Sequence, residues 1–417
     1  MKTDLFKGSI YRIIFMGLSF LVGLLIAAIS GTAIFGSLSL MIVNAAMLLI
    51  FSGLGTDAAL VWHWAGEKLN PRAGYSFVTL SGLVQLLLFG MGEWVSLQVW
   101  DETLLARGSA QIYLWPETLY FVGLVLLEKW GSLFYATHKA VRANQVLASI
   151  SFVFALFLAF SIQGIGIRVD DPFSLFAGFT FIQGLSLMVA FHMSVPGIRP
   201  GRLSRREIRS LFQFSFLVFI TNGIQFLAYR IDYWFIDYYQ GEAGVGVYAQ
   251  ANRFAQLMWV VPNILAALLI PVLSRKEGAM KTPEFMTYPR FLMRWNALLL
   301  LLVPFTAWLI YQYLMPASFM PGWKALLWMI PGYYFFGLTL LLAAWFSAMG
   351  HLKVNLTGSL ICLVLIIVAD ASLIPRWGAM GAALANTLAY SLTTLYFMLR
   401  FKARTGIDHL SYWRSKD

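Results

Sequence analysis

Runs of about twenty apolar residues recur along this chain, and no other feature constrains its fold as strongly. A helix needs about 20 residues to cross the hydrocarbon core of a bilayer. Residues 9–29, 38–60, 74–98, 112–135, 144–162 and 173–192 supply six such runs, and 211–229, 245–270, 291–314, 323–349, 354–372 and 379–399 supply six more. Of 417 residues, 59% are hydrophobic and only 12% charged, against roughly 25% charged in a soluble domain. The expected fold class is all-α, a polytopic membrane protein of about twelve transmembrane helices. The first run reads as the first span rather than as a secretory leader, and no link is long enough to hold a soluble domain.

Charge placement sets the orientation, because Lys and Arg in short loops mark the cytoplasmic side. Lys2, Lys7 and Arg12 flank the start. The same side carries Lys68 and Arg72, Lys139 and Arg142, and the dense run Arg199, Arg202, Arg205, Arg206 and Arg209. Arg275, Lys276, Lys281, Arg290, Lys353, Arg400, Lys402, Arg404, Arg414 and Lys416 follow. The other side holds Asp101, Glu102, Asp170, Asp171, Asp237 and Glu242, with Arg107, Arg168, Arg230 and Arg376. Both termini are therefore expected in the cytoplasm. The formal charge of +11 is a topology signal, and nucleic acid drops out as a partner.

The chain also reads as a duplication. Gly31, Ala33, Phe35 and Gly36 match Gly241, Ala243, Val245 and Gly246 at an offset of 210 residues, and each set joins the first two helices of its half. Asn144 and Asn355 open the fifth span of each half. Two six-helix lobes follow, residues 1–198 and 211–400, with a basic connector at 199–210 and a tail at 401–417. Both lobes begin on the same side, so the repeat is parallel, about an axis along the membrane normal.

Ionisable groups at membrane depth need a reason, and the default is a binding site or a pathway. Arg253 lies two turns inside the eighth span, with Gln250, Asn252 and Gln256 nearby and Asn263 further along the stripe. A fixed positive charge on a polar stripe suits an anionic ligand, because guanidinium grips phosphate oxygens in fork geometry; a structural ion pair is the competing reading. Arg230 shares a face with Trp234 and Asp237, and its distance along the helix places it at the outer interface. In the fourth span, Glu117 and Glu128 return to nearly one face, with Tyr113, Tyr120 and Tyr135 on or near it. A cavity wall with a protonatable carboxyl and a structural partner for Lys129 are both open for Glu128. The cavity is favoured for Glu117. Asp57, a turn above the end of the second span, fits a coupling role or a helix-end role. Glu93 and Asp370 read as interfacial, and the histidines as helix-end residues without metal-ligand spacing. Cys362 stands alone in an apolar run. No cofactor site and no catalytic triad is expected, so the chain does not read as an enzyme.

Several segments resemble the polysaccharide-export flippases of the Wzx type, within the multidrug/oligosaccharidyl-lipid/polysaccharide exporter superfamily. The resemblance rests on Arg230 and Asp232; on Gly246, Tyr248, Ala251 and Arg253; on Pro271 and Ser274; on Leu373, Ile374, Pro375, Gly378, Gly381 and Ala383; and on Phe35, Gly36, Gly53 and Gly55. It covers essentially the whole chain. It implies two six-helix lobes facing each other in a V and working by alternating access in the bacterial plasma (inner) membrane. The implied cargo is an oligosaccharide on a polyprenyl pyrophosphate, delivered for cell-surface polysaccharide synthesis. Arg253, Arg230, Gln256 and Asn252 are the expected substrate-binding residues, with Glu117, Glu128 and Asp57 as ion-coupling candidates. H+ or Na+ as coupling ion, membrane lipids and a polysaccharide polymerase are the expected partners. Asp370 stands where such proteins commonly have Asn.

Three other readings compete: a different transporter of the superfamily, an enzyme, and a non-transporting scaffold, which would not need polar stripes at membrane depth. A lipid II flippase usually has additional helices and more cationic residues in its first helices, which are missing here. A cation-coupled drug exporter of the same superfamily would favour acids deep in a lobe, whereas this chain offers Arg253. A multi-pass glycosyltransferase or polymerase would need a sizeable outer loop for its carboxylates, and the outer links are short.

Overall fold

A computed structural model of the chain describes residues 2–65, 69–165, 169–275 and 285–407. Lys68, Arg168, Lys276, Lys281, His409, Arg414 and Lys416, used above in the charge pattern, lie outside the described residues. The first half contains α1 (Lys2–Gly53), α2 (Thr56–Ala65), α3 (Pro71–Trp100), α4 (Ala110–Ala136), α5 (Ala140–Ile162) and α6 (Pro172–Ser194). The second contains α7 (Arg205–Ala255), a 3₁₀ turn (Gln256–Trp259), α8 (Val260–Arg275), α9 (Thr287–Tyr313), α10 (Pro321–Ala348), α11 (Leu352–Trp377) and α12 (Ala379–Thr405).

Two helices are too long for one crossing. α1 has 52 residues and α7 has 51, about 75 Å each at 1.5 Å per residue, against a hydrocarbon core of about 30 Å. Each breaks at one glycine, Gly31 (φ 73°, ψ 177°) in α1 and Gly241 (φ 66°, ψ −173°) in α7. That backbone region is essentially closed to residues with a Cβ. The Gly-rich links of the two halves are therefore single-residue bends at equivalent positions, and helix resumes directly after each. Among the described residues, ten apolar helical stretches are long enough to cross a membrane. The 44-residue stretch Ile10–Gly53 and the 66-residue stretch Arg205–Ile270 each hold two crossings, divided at these glycines. The ten thus become the twelve expected from sequence, and the protein is a multi-pass membrane protein.

The helix boundaries depart from expectation in three places. The second span ends early, because Leu54 (φ 48°) and Gly55 (φ 71°) turn the chain left-handed and α2 starts afresh at Thr56. Asp57 thereby sits in the first turn of α2, where a helix N-terminus favours a carboxylate. The seventh span runs on to the bend at Gly241 instead of stopping near 229, so Asp237 lies half-buried inside a helix and not in an outer loop. The eighth span is interrupted at Gln256–Trp259. Pro262 explains this, since it has no N–H to offer and its ring crowds the carbonyl of Met258, four residues back.

The chain divides into two compact units, Met1–Ser30 with Ser37–Gly223, and Gly31–Gly36 with Ile224–Asp417. The change of unit at Gly223 falls inside α7 and not in the basic stretch at 199–210, because α7 is continuous there. Its first turns are packed in the first unit, where Leu211 joins Leu60, Phe77, Leu133, Phe134 and Phe191 in one apolar cluster. In the second unit α10 is the central helix, with most of its apolar length buried. Leu338, Leu342, Trp345 and Phe346 of α10 pack with Leu269, Leu292, Phe397 and Phe401.

The short segment Gly31–Gly36 belongs to the second unit because of one close approach. A Cβ on Gly36 would stand 1.8 Å from the carbonyl oxygen of Glu242, and a Cβ on Gly246 would stand 2.0 Å from that of Thr32. The two repeat elements cross backbone on backbone, and only glycine fits on both sides of the crossing. Gly246→Val is expected to lower stability by about 3 kcal/mol or to prevent folding, as overpacking does where the obstacle is main chain. Gly90→Val, where a Cβ meets nothing within 4 Å, should leave the thermal midpoint of the purified protein nearly unchanged.

Candidate functional site

Polar side chains are drawn inward from apolar helices in both units. In the first unit a cluster forms where α2, α3 and α4 meet. Lys129 of α4 is fully buried, and its Nζ contacts Asp57 Oδ2 at 2.5 Å and Glu128 Oε2 at 3.3 Å. Gln85 of α3 donates to the same Glu128 oxygen at 3.3 Å. One buried ammonium thus holds two carboxylates, leaving the cluster one negative charge in excess when both are ionised. Asp57 also lines an open cleft of about 780 Å³ with Trp62, Ser132, Tyr135 and Phe214. The structure therefore joins two of the acids expected for coupling, Asp57 and Glu128, and the Lys129 partnership is the geometry observed for Glu128.

Glu117 is elsewhere and differently used. Its Oε2 accepts from the amide of Leu105 at 3.0 Å and its Oε1 from that of Ala106 at 2.5 Å. Glu93 accepts from the amide of Leu104 at 3.1 Å, and Asn44 donates to the carbonyl of Leu105 at 2.7 Å. Three polar side chains pin the link between α3 and α4. Glu117, with no exposed surface, anchors a loop and is not the cavity wall expected from its helical stripe. Glu93 is buried as well, at 5% exposure, so its interfacial assignment is also corrected. The stripe misled because an eleven-residue spacing fixes a helix face but not what covers each end of it.

In the second unit the polar cluster gathers all four expected substrate-binding residues. Asn252 donates to the Tyr233 hydroxyl at 3.2 Å, accepts from the Tyr333 hydroxyl, and receives Gln256 Nε2 at 3.3 Å. The Arg230 guanidinium lies over the Tyr233 ring at 5.4 Å and donates to its hydroxyl at 3.4 Å. Arg253 is within electrostatic reach of Tyr233 and Arg230, and it stacks over Phe35 at 5.6 Å. Among the described residues no ion pair joins Arg253 to a carboxylate. Arg230 is half-buried among aromatic rings and does not take the interfacial place its position along the helix suggested. Tyr333 also stacks on Trp259 at 4.4 Å.

Beside these lie two acids to which sequence reasoning gave no binding role. Asp232, 1% exposed, accepts from the Tyr248 hydroxyl and from Asn386 Nδ2 at 3.2 Å. Asp370 is fully buried, within electrostatic reach of Asp232, and among the described residues neither of its oxygens has a hydrogen-bond partner. Asp232 Oδ1 and Asn386 Oδ1 likewise have no hydrogen-bond partner among the described residues. Asp370 is not interfacial. The helix α11 runs on seven residues past it to Trp377, beyond the end expected near 372.

The fold and both clusters can be set against known proteins. The sequence profile for the family described as polysaccharide biosynthesis protein matches residues 25–311. The chain belongs to that family. A comparison with curated proteins returned no match. Among solved structures, the chain is similar to an inward-facing multidrug resistance MATE family transporter of the MOP superfamily, with 14% identity, a TM-score of 0.70, and coverage of 95% of this chain and 98% of that one. The lipid II flippase MurJ in an inward closed conformation matches with 14% identity and a TM-score of 0.72, over 96% of this chain and 88% of that one. A MOP superfamily transporter from Pyrococcus furiosus matches at 15% identity, a TM-score of 0.64, and coverage of 97% and 96%. At these identities the likeness establishes the fold: this family member has the two-unit, all-helical fold of MOP transporters.

Removing the Lys129 charge leaves two carboxylates facing each other with no cation between them. Lys129→Met is therefore expected to destabilise the protein by about 3 kcal/mol, read as a fall in thermal midpoint. Adding Asp57→Asn and Glu128→Gln to the same protein should recover most of that loss.

Proposed function

We propose that this protein flips a polyprenyl-pyrophosphate-linked oligosaccharide from the cytoplasmic to the outer leaflet of the bacterial plasma (inner) membrane, by alternating access. The observation that carries this reading is Arg253, a guanidinium at membrane depth with no carboxylate partner among the described residues, set beside a bank of amide and phenol side chains. The charge suits an anionic head group. Asn252, Gln256, Tyr233 and Tyr333 offer donors and acceptors of the kind that sugar hydroxyls need. Membership of a polysaccharide biosynthesis family supplies the context, with a polysaccharide polymerase as the consumer of the flipped product. The basic loops put both termini in the cytoplasm. The protein moves its cargo without changing it, so it is a transporter and not a glycosyltransferase.

Coupling to H+ or Na+ provides the driving force in this reading. The buried carboxylates Asp232 and Asp370, with the side-chain amide of Asn386 beside Asp232, are suited to a small cation, because hard cations take oxygen ligands. Glu128 and Asp57 share Lys129 and form a second acidic group that can change charge during the cycle. Glu117 is assigned a structural role, since both its oxygens are engaged by backbone amides.

The test is a reconstituted assay with labelled lipid-linked oligosaccharide. Transbilayer movement without change in glycan length is expected. Arg253→Ala should slow it by about tenfold or more, the value of a charge-assisted contact, with Arg253→Lys intermediate. Chain growth, or a wild-type rate in Arg253→Ala, contradicts the proposal.

A further inference from the structure

The basic stretch between α6 and α7 is anchored to the first unit. The Gly201 amide donates to the Arg72 carbonyl at 3.0 Å and to Ser76 Oγ at 2.8 Å. A Cβ on Gly201 would stand 2.6 Å from Arg72 Cβ, so the stretch lies directly on the start of α3. Ser204 and Glu207 then close a capping box that starts α7. Ser204 donates its amide and its hydroxyl to Glu207 Oε2 at 2.7 Å each, and the Glu207 amide donates to Ser204 Oγ at 3.2 Å. Glu207 is the one acid between 199 and 209, and that box occupies it. Arg72, Arg199, Arg202, Arg205, Arg206 and Arg209 are all exposed. Among the described residues no ion pair joins any of them to a carboxylate.

The first turns of α7 carry this basic ledge on into an apolar stripe. Helical spacing brings Arg205, Ile208, Arg209, Phe212 and Phe216 to one face. Ile208, Phe212 and Phe216 are 37%, 45% and 62% exposed. Leu211 and Phe214, on the other side of the helix, pack into the apolar cluster of the first unit. The Phe212 ring is set edge-on to Phe77 of α3 at 6.3 Å, which ties the stripe to the helix that Arg72 begins. One face thus presents guanidiniums at its start and apolar side chains after them. That is the order of groups in a lipid, a charged head and then a chain.

Exposed apolar side chains alone say only that the helix meets lipid; the anchored arginines say which lipid. Guanidinium takes phosphate oxygens in fork geometry. A cluster of about four to eight basic residues beside a membrane helix is the pattern of anionic-lipid recognition. A zwitterionic head brings its own cation and leaves the ledge unneutralised, whereas an anionic head balances it. We infer that the start of α7, with Arg72 of α3, is a binding site for an anionic phospholipid of the adjoining leaflet. Arg205 and Arg209 hold its phosphate, and Ile208, Phe212 and Phe216 pack along an acyl chain. The site belongs to the first unit and Arg253 to the second, so it stands apart from the proposed cargo site and does not depend on it.

The experiment is native mass spectrometry of the full-length protein in detergent, titrated separately with phosphatidylglycerol, phosphatidylcholine and undecaprenyl phosphate. Phosphatidylglycerol is expected to bind about tenfold more tightly than phosphatidylcholine, with the difference shrinking as ionic strength rises. Arg205→Gln combined with Arg209→Gln should remove most of that preference, and the corresponding pair of Lys substitutions should fall between. Arg400→Gln combined with Arg404→Gln takes the same charge from the end of α12 and should match the wild type. Phe216→Ala should weaken both phospholipids alike, by about threefold. Equal binding of the two phospholipids overturns the inference. So does an equal loss in the two arginine-to-glutamine pairs, which would reduce the effect to net charge. Undecaprenyl phosphate binding more tightly than phosphatidylglycerol, and through Arg205 and Arg209, also overturns it and makes the ledge a contact for the cargo.

Discussion

A hydrocarbon solvent offers no hydrogen bonds, so every polar side chain along these helices must find its partner within the protein or carry the cost of having none. This condition organises both units. Lys129 lies fully buried because Asp57 and Glu128 contact its ammonium. Asn252 can sit in the interior because Tyr233, Tyr333 and Gln256 satisfy it from three directions. Where the condition is met completely, as at Glu117 between two backbone amides, the side chain is structural. Where it is not met among the described residues, as at Asp370, structural need gives no reason to keep the carboxyl.

The backbone obeys the same condition. Helices satisfy their own amides, so bends are confined to residues that can leave the helical region at low cost. Gly31 and Gly241 are such residues, and the crossing of Gly36 with Gly246 follows directly after them in the chain. A backbone-on-backbone crossing needs no side-chain polarity and suits an apolar solvent. It also explains why six residues of the first half are built into the second unit.

Much of this was legible in the sequence. Apolar run length gave the number of crossings, because bilayer thickness is a fixed ruler. The 210-residue repeat pointed to the two glycine bends, since only glycine tolerates that conformation. The gathering of Asn252, Arg253 and Gln256 also followed from helical spacing, whereas the distance of Arg230 along its helix pointed to the outer interface. The failures have a common origin. Glu117, Glu93 and Asp370 were assigned from their distance along a helix, yet their surroundings come from other segments: the link at 101–109 for the two glutamates and α7 for Asp370. Asp57 was read as part of a long second span because the turn at Leu54 and Gly55 has no proline to announce it. Tertiary neighbours decided each of these positions, and no local pattern encodes them.

The central claim is that the buried acids of the second unit are retained for an ion and not for stability. The most direct measurement is the thermal midpoint of the wild type and of Asp370→Asn while Na+ or protons are added. The wild-type midpoint should rise as the cation fills the site, by the mass-action stabilisation of any ligand that binds only the folded state. Asp370→Asn, relieved of a buried unpartnered carboxyl, should start above the cation-free wild type and stay flat. A variant that melts below the cation-free wild type, or that follows the wild type through both titrations, would contradict the claim.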